Sequence, residues 1–336
     1  MDPETTPAMQ APPGEISNLV DPDTTIPGRY AMSAICLVVA VTFVSIRIYM
    51  RVIWKKFNHE DCVLLFAMVS FVVFLALSLI TSVYGVGKHL WDVSVADLQR
   101  ELFYGNIVEI FISVTMFPIK YVVLCQTRSI FFQNDPRGLF GHIITILIWV
   151  NFMLYSSVAL ALIFACTPRE KLWHPYVEGY CIDDIACVVI SIALNIASDL
   201  SILIIPMLCI ARLQMPLKKK LLAASVFAVG AFATVAGIVR LYYGTRVSQS
   251  EDLTWGLMPV GNWTDIELGL GFVVASAPYV PRFARKLLGY KKPAPDPPNI
   301  QRSSHRMKRL ESLTINPVQQ PFESKKAIAP WEDYTV

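Results

Sequence analysis

The 336-residue chain is 54% hydrophobic and only 16% charged, with a mean hydropathy of +0.49. A soluble domain carries about 25% charged residues, so an ordinary water-soluble fold is excluded as the first expectation. The net charge of +3 gives no reason to expect nucleic acid as a partner, because the basic residues fall where membrane topology wants them.

Residues 1–28 open acidic and Pro-rich (MDPETTPAMQAPPGE). They carry neither the basic n-region nor the apolar h-region of a cleavable signal. This segment is expected to be a disordered, extracytoplasmic N-terminus. Seven apolar blocks follow, at about 30–50, 62–84, 103–126, 140–166, 185–211, 221–243 and 264–284. The second, CVLLFAMVSFVVFLALSLITSVY, contains no charge. About 20 apolar residues cross a bilayer as a helix, and blocks of this length are too long for barrel strands. The expected fold class is an all-α membrane protein, a seven-transmembrane-helix bundle over residues 29–288. Residues 289–336, rich in proline and scattered charge, read as a disordered tail. Ser303, Ser304 and Ser312 lie there near basic residues and suit phosphorylation.

One set of connections between the blocks holds Arg51, Lys55, Lys56, Arg128, Arg137, Arg212, Lys218, Lys219, Lys220, Arg282, Arg285, Lys286, Lys291 and Lys292. The other holds Arg29, Lys88, Arg100, Arg169, Lys171 and Arg246. Fourteen cations against six puts the N-terminus outside and the C-terminus in the cytoplasm.

The third block, in SVTMFPIKYVVLC, encloses Lys120 in apolar sequence. An ammonium in hydrocarbon costs roughly 2.5–3.5 kcal/mol on insertion scales. Glu109 precedes it by eleven residues, which places the two about 20° apart on one face but about 16 Å apart along the axis. They cannot pair with each other. Asn195 and Asp199 share a face of the fifth block. Arg240 lies near the outer end of the sixth, and Asp265 and Glu267 near the outer end of the seventh. Sorted by depth, Lys120 and Asp199 form an inner group, expected to pair; Glu109, Arg240, Asp265 and Glu267 form an outer one. The alternative for Lys120 is snorkelling to the headgroups. Thr264–Glu267 also fits a capping box opening the seventh helix, and Arg240 an interfacial place beside Tyr242 and Tyr243.

Cys166 and Cys181 flank an outer loop and are expected to form a disulfide, with Cys187 as a rival partner. Cys36, Cys62, Cys125 and Cys209 read as small apolar residues. His89, Asp92 and His174 lie on separate loops without ligand spacing, so no metal is expected. GVGKH at 85–89 lacks the frame of a phosphate loop. Asn262-Trp263-Thr264 is a glycosylation sequon abutting the seventh block.

Together these residues carry a resemblance. GVGKHLWDVSVADLQ, with His89, Trp91 and Asp92, resembles the first outer loop of the fungal rhodopsin-domain integral membrane proteins. The Glu109…Lys120 helix, the Cys-flanked loop, Asn195-x-x-x-Asp199 before Pro206, and Trp263-Thr-x-Ile-Glu267 are similar to that family's motifs. The resemblance covers about 30–288. It implies that Lys120, Asn195, Asp199, Arg240 and Glu267 are family positions facing the bundle interior. Residues 221–285 contain no lysine, so retinal is not expected, nor any other cofactor. Gln126-Thr127-Arg128 and Pro278-Tyr279-Val280-Pro281 stand where G-protein receptor motifs would. The resemblance leaves two expectations. One is a receptor-like sensor with a small-molecule cavity and a cytoplasmic signalling partner. The other is a membrane-embedded cyclase or isomerase, or an accessory or transport protein, in fungal secondary-metabolite (toxin) biosynthesis. Either would work in the lipid bilayer of the plasma membrane or an endomembrane, on a small lipophilic molecule.

Overall fold

The computed structural model describes residues 2–131, 138–174, 176–212 and 217–288. The tail at 289–336, with Ser303, Ser304 and Ser312, lies outside them, as does Arg137. So do the side chains of Pro206, Cys209, Arg212 and Lys218 to Lys220.

Seven long helices run in chain order: α1 (Ile26–Ile53), α2 (His59–Tyr84), α3 (Val95–Phe131), α4 (Leu139–Ile163), α5 (Asp184–Arg212), α6 (Leu217–Val247) and α7 (Leu253–Ser276). A 3-10 turn (Ala277–Tyr279) leads into a short α8 (Val280–Leu287). The first six long helices are long and apolar enough to cross a membrane. Their outward faces are apolar, with Val69 65% and Ile146 60% exposed. A soluble monomer does not show such continuous apolar surface.

Local chemistry sets the ends. Pro27 stands in the first turn of α1, where its missing N–H is no loss. At the start of α2, the Asn58 backbone N–H donates to Asp61 Oδ2 at 3.1 Å. Between α2 and α3 the chain turns at Gly87, whose φ of +93° suits glycine alone. Its N–H donates to Thr254 O at 3.0 Å, and its carbonyl accepts from Thr25 N at 3.2 Å. That turn ties α1, α2 and α7 together at one end of the bundle, called here the loop end. The core joins α1, α2, α3 and α7 around Leu64, Phe71, Phe74, Met116, Leu268 and Phe272. Phe71 and Phe272 meet at 5.3 Å between ring centroids. Helix α7 packs against α1, α2, α3 and α6 and is the central helix.

Two expectations are corrected. Helix α7 begins at Leu253, eleven residues before the expected 264, so Thr264–Glu267 lies in mid-helix and is no capping box. Residues beyond Ser276, expected to continue the seventh helix, instead form the 3-10 turn and α8. The N-terminal segment, expected without structure, has no long helix or strand but is held on the loop end. Ala8 N donates to Val93 O at 2.8 Å and Val95 N to Thr6 O at 3.0 Å, with a bridge between Pro7 and Ser94. Unpaired backbone groups of residues 93–95 thereby find partners.

Cys166 and Cys181 form a disulfide, and Cys187 does not take the place of Cys181. They are directly opposite in a two-residue antiparallel ladder of β1 (Cys166–Thr167) and β2 (Tyr180–Cys181). The ladder closes the loop between α4 and α5.

Candidate functional site

Lys120 is buried, 5% exposed, and does not snorkel. Its ammonium is 2.9 Å from Asp199 Oδ1. It also donates to Asn195 Oδ1 at 2.7 Å, to the Asn195 carbonyl at 3.2 Å and to Ser198 Oγ at 3.1 Å. The Tyr155 ring lies 5.4 Å away, and its hydroxyl donates to Asn195 Oδ1 at 2.5 Å. Ser198 Oγ passes its own hydrogen to Asn151 Oδ1 at 2.5 Å. The one-turn spacing of Asn195 and Asp199 on α5 allows both to reach one ammonium. A lysine can donate three hydrogen bonds, and this surplus of acceptors keeps the ion tolerable in a desolvated place.

Two members of the expected outer group, Arg240 and Glu267, are joined to the inner pair in one network, while Asp265 belongs to a separate cluster. Asn195 Nδ2 donates to Glu267 Oε1, and Glu267 Oε2 lies 3.1 Å from Arg240 Nε. Arg240 is 4% exposed and its guanidinium also reaches Thr264 Oγ1 at 3.5 Å. The expected interfacial place for Arg240 is therefore corrected: its pairing with Glu267 offsets the desolvation that a buried guanidinium suffers. A relay of polar groups thus runs from α3 through α4 and α5 to α7 and α6.

Beside this relay is a small cavity of about 20 Å³, walled by Glu109, Ser113, Met116, Tyr155, Asn195 and Arg240 among others. That is room for about one water, far below the roughly 300–1,000 Å³ of ligand pockets. Among the described residues no hydrogen-bond donor meets the Glu109 carboxyl, and Arg240 walls the same cavity. The site thus contains a carboxyl group facing a space, a tyrosine hydroxyl, an amide and a guanidinium. Such a set can move a proton and steady a developing negative charge.

Two further buried clusters escaped sequence reasoning. At the loop end, Arg29, counted above as an outer-loop cation, is buried on α1. Its Nη2 is 3.2 Å from Asp265 Oδ1 and also donates to Ser78 Oγ, while its Nη1 donates to Asn262 Oδ1 at 2.9 Å. Ser33 Oγ donates to Asp265 Oδ2 at 2.6 Å. Asn262, the sequon residue, thus sits within α7 with its amide oxygen engaged. Gly261 makes room for the guanidinium, since a Cβ there would lie 3.0 Å from Arg29 Nη1.

At the opposite end, Arg47 of α1 donates from Nε to Asp61 Oδ1 at 2.9 Å and from Nη1 to Gln126 Oε1 and the Ala275 carbonyl at 2.8 and 2.7 Å. Arg51 joins Glu60 and Asp61, and both arginines lie over the Tyr279 ring. The signal for Arg47 was present: it interrupts the apolar run AVTFVSIRIYM as Lys120 interrupts its own.

The outer-loop residues have local roles. His89 is stacked between Trp91 and Trp255, with centroids 4.4 and 4.1 Å away, and its Nδ1 is 2.6 Å from Asp252 Oδ2. Asp92 Oδ1 accepts from Asn18 N at 2.7 Å. His174 bonds Tyr176 OH at 2.9 Å. His89, Asp92 and His174 thus have separate partners, and no group of three His, Cys, Asp or Glu that could hold a metal occurs among the described residues.

Comparison with known proteins gives these arrangements a context. The chain is 30% identical over 206 residues to a SAT4 family membrane protein of Emericella nidulans, covering 61% of this chain and 52% of that one. It therefore spans about half the length of that relative. It is 24% identical over 286 residues to fugralins biosynthesis cluster protein 2 of Gibberella zeae, covering 83% and 71% respectively. It is 27% identical over 123 residues to satratoxin biosynthesis SC1 cluster protein 4 of Stachybotrys chartarum, covering 36% and 44%. No solved structure matches. The family model described as the fungal rhodopsin domain matches residues 46–286, a range that takes in Arg47, Lys120, Asp199, Arg240 and Glu267. The chain is an integral membrane protein of the fungal rhodopsin domain family.

Proposed function

We propose that this is a seven-helix transmembrane protein of fungal secondary-metabolite biosynthesis, an isomerase or cyclase acting on a lipophilic intermediate by acid–base chemistry. All seven long helices would span the bilayer, with the N-terminus outside and the C-terminus in the cytoplasm, as the cation asymmetry favours. The observation that carries the reading is the Glu109 carboxyl, set without a hydrogen-bond donor against a space that Tyr155, Asn195 and Arg240 also wall. Glu109 takes a proton from one carbon of the intermediate and returns it at another. No oxidant, reductant or cofactor is consumed. Arg240 stabilises the anionic charge that develops between the two steps, and Lys120 with Asp199 holds Asn195 and Tyr155 in place. Two of the similar proteins bear the names of biosynthesis clusters, which supports the metabolic setting.

The cavity volume of about 20 Å³ favours a second reading, a receptor-like sensor in which the relay locks the helices until a small molecule parts them. Under the first reading the same parting, of α3 from α4 and α5, admits the substrate. A strain lacking the gene separates the two. For an isomerase or cyclase, one intermediate accumulates while cluster transcripts stay constant, and membranes containing the protein convert that intermediate in vitro. For a sensor, cluster transcripts fall together and the membranes convert nothing. An unchanged metabolite profile would reject both.

A further inference from the structure

The end of the bundle opposite the disulfide carries a surface that neither the relay nor the proposed chemistry uses. Helix α8, VPRFARKL, lies against the last turn of α1. Phe283 meets Tyr49 edge-on at 5.9 Å, and Lys286 Nζ stands 4.8 Å over the Tyr49 ring and 3.3 Å from its hydroxyl. The Arg282 guanidinium lies 5.3 Å over the Trp54 ring. These contacts join α8 to the α1–α2 turn, where Lys55 and Lys56 are exposed.

The charge balance here is one-sided. The carboxylates of the turn, Glu60 and Asp61, are taken up by Arg47 and Arg51. Lys55, Lys56, Arg282, Arg285 and Lys286 meet no carboxylate among the described residues. Interleaved with them are exposed apolar and aromatic groups: Trp54 at 39%, Phe57 at 45% and Leu287 at 70%. Five cations with aromatic rings beside them, on a short amphipathic helix at the end of a membrane bundle, match the boundary where acyl chains meet headgroups.

We infer that α8 and the α1–α2 turn form a binding surface for anionic phospholipid headgroups, with Arg282, Arg285, Lys286, Lys55 and Lys56 facing the phosphates and Trp54, Phe57 and Leu287 entering the acyl boundary. A cation near an anionic leaflet contributes about 1 kcal/mol, or roughly five-fold in lipid affinity. The surface therefore favours a leaflet rich in such lipids, and it orients the chain independently of any catalytic or sensing role.

The test uses the purified full chain in mixed micelles. Binding of a fluorescent phosphatidylserine is followed by energy transfer from tryptophan, with the matching phosphatidylcholine as control. The expected result is preferential, salt-sensitive binding of phosphatidylserine, weakened about five-fold for each cation removed in Arg282→Gln, Arg285→Gln and Lys286→Gln. Lys55→Gln with Lys56→Gln, which leaves α8 intact, should show the same trend and serves if the α8 variants fail to fold. Equal binding of both lipids by the wild type, or undiminished phosphatidylserine preference in the folded variants, would overturn the inference.

Discussion

The Arg47 cluster and the Lys120 relay are built from the same residue types, yet they differ in what is left over. Around Arg47, two carboxylates, an amide, a backbone carbonyl and an aromatic ring surround the guanidinium. The cluster ties α1, α2, α3 and α7 at one end. The Lys120 relay is as deeply buried and also joins four or more helices, but it ends beside a water-sized space with the Glu109 carboxyl facing in. A buried ion pair alone is weak grounds for assigning function. The adjoining space, which Glu109 helps to wall, distinguishes a site from a clamp.

Substitutions test this contrast. The largest effect is expected at the clamp. Arg47→Met leaves the buried Asp61 with Arg51 as its remaining cation, and Asp61→Asn weakens Arg47 and the start of α2 together. Each should destabilise by about 3–5 kcal/mol, visible as loss of the folded peak in fluorescence-detected size exclusion. Near-normal yield of Arg47→Met would show that the clamp contributes little.

Next comes the relay. Lys120→Met and Asp199→Asn should each lower detergent melting temperature, while the double variant recovers much of the loss, because removing both charges leaves none stranded. Additive losses in the cycle would deny that Lys120 and Asp199 act as a pair. Smaller again is the Cys166–Cys181 disulfide. Its cysteines are 15 residues apart, so Cys166→Ser should cost about 3 kcal/mol in the loop-closure account, read by thermal unfolding with and without reductant. No difference under reductant would show that the ladder of β1 and β2 holds the loop unaided.

Much of this was legible in the sequence because burial of charge leaves a local signature. Lys120 stood out within apolar sequence, and the four-residue spacing of Asn195 and Asp199 placed both on one face. The linkage of Asn195 to Glu267 was not legible, since it depends on how α5 and α7 are set side by side, which no spacing within one helix encodes. The start of α7 was missed for a related reason. Gly256, Pro259 and Gly261 give LTWGLMPVGNW the composition of a loop, but close packing against α1 and α6 keeps it helical, and tertiary contacts override propensity. Arg29 was misread as a loop charge because its partner, Asp265, is 236 residues away. Likewise, irregular composition at the N-terminus concealed backbone pairing with residues 93–95.

The smallest expected effect on stability belongs to the residue with the largest expected effect on function. Glu109→Gln keeps the shape of the side chain and removes only its ability to ionise. The most direct test of the account is to express Glu109→Gln in a strain lacking the gene, and to measure its melting temperature beside the metabolite profile. The expected result is a melting temperature at or slightly above wild type, with the intermediate accumulating as it does in the deletion strain. A folded Glu109→Gln protein that restores the wild-type metabolite profile would contradict it and leave the Lys120 relay, like the Arg47 cluster, a clamp.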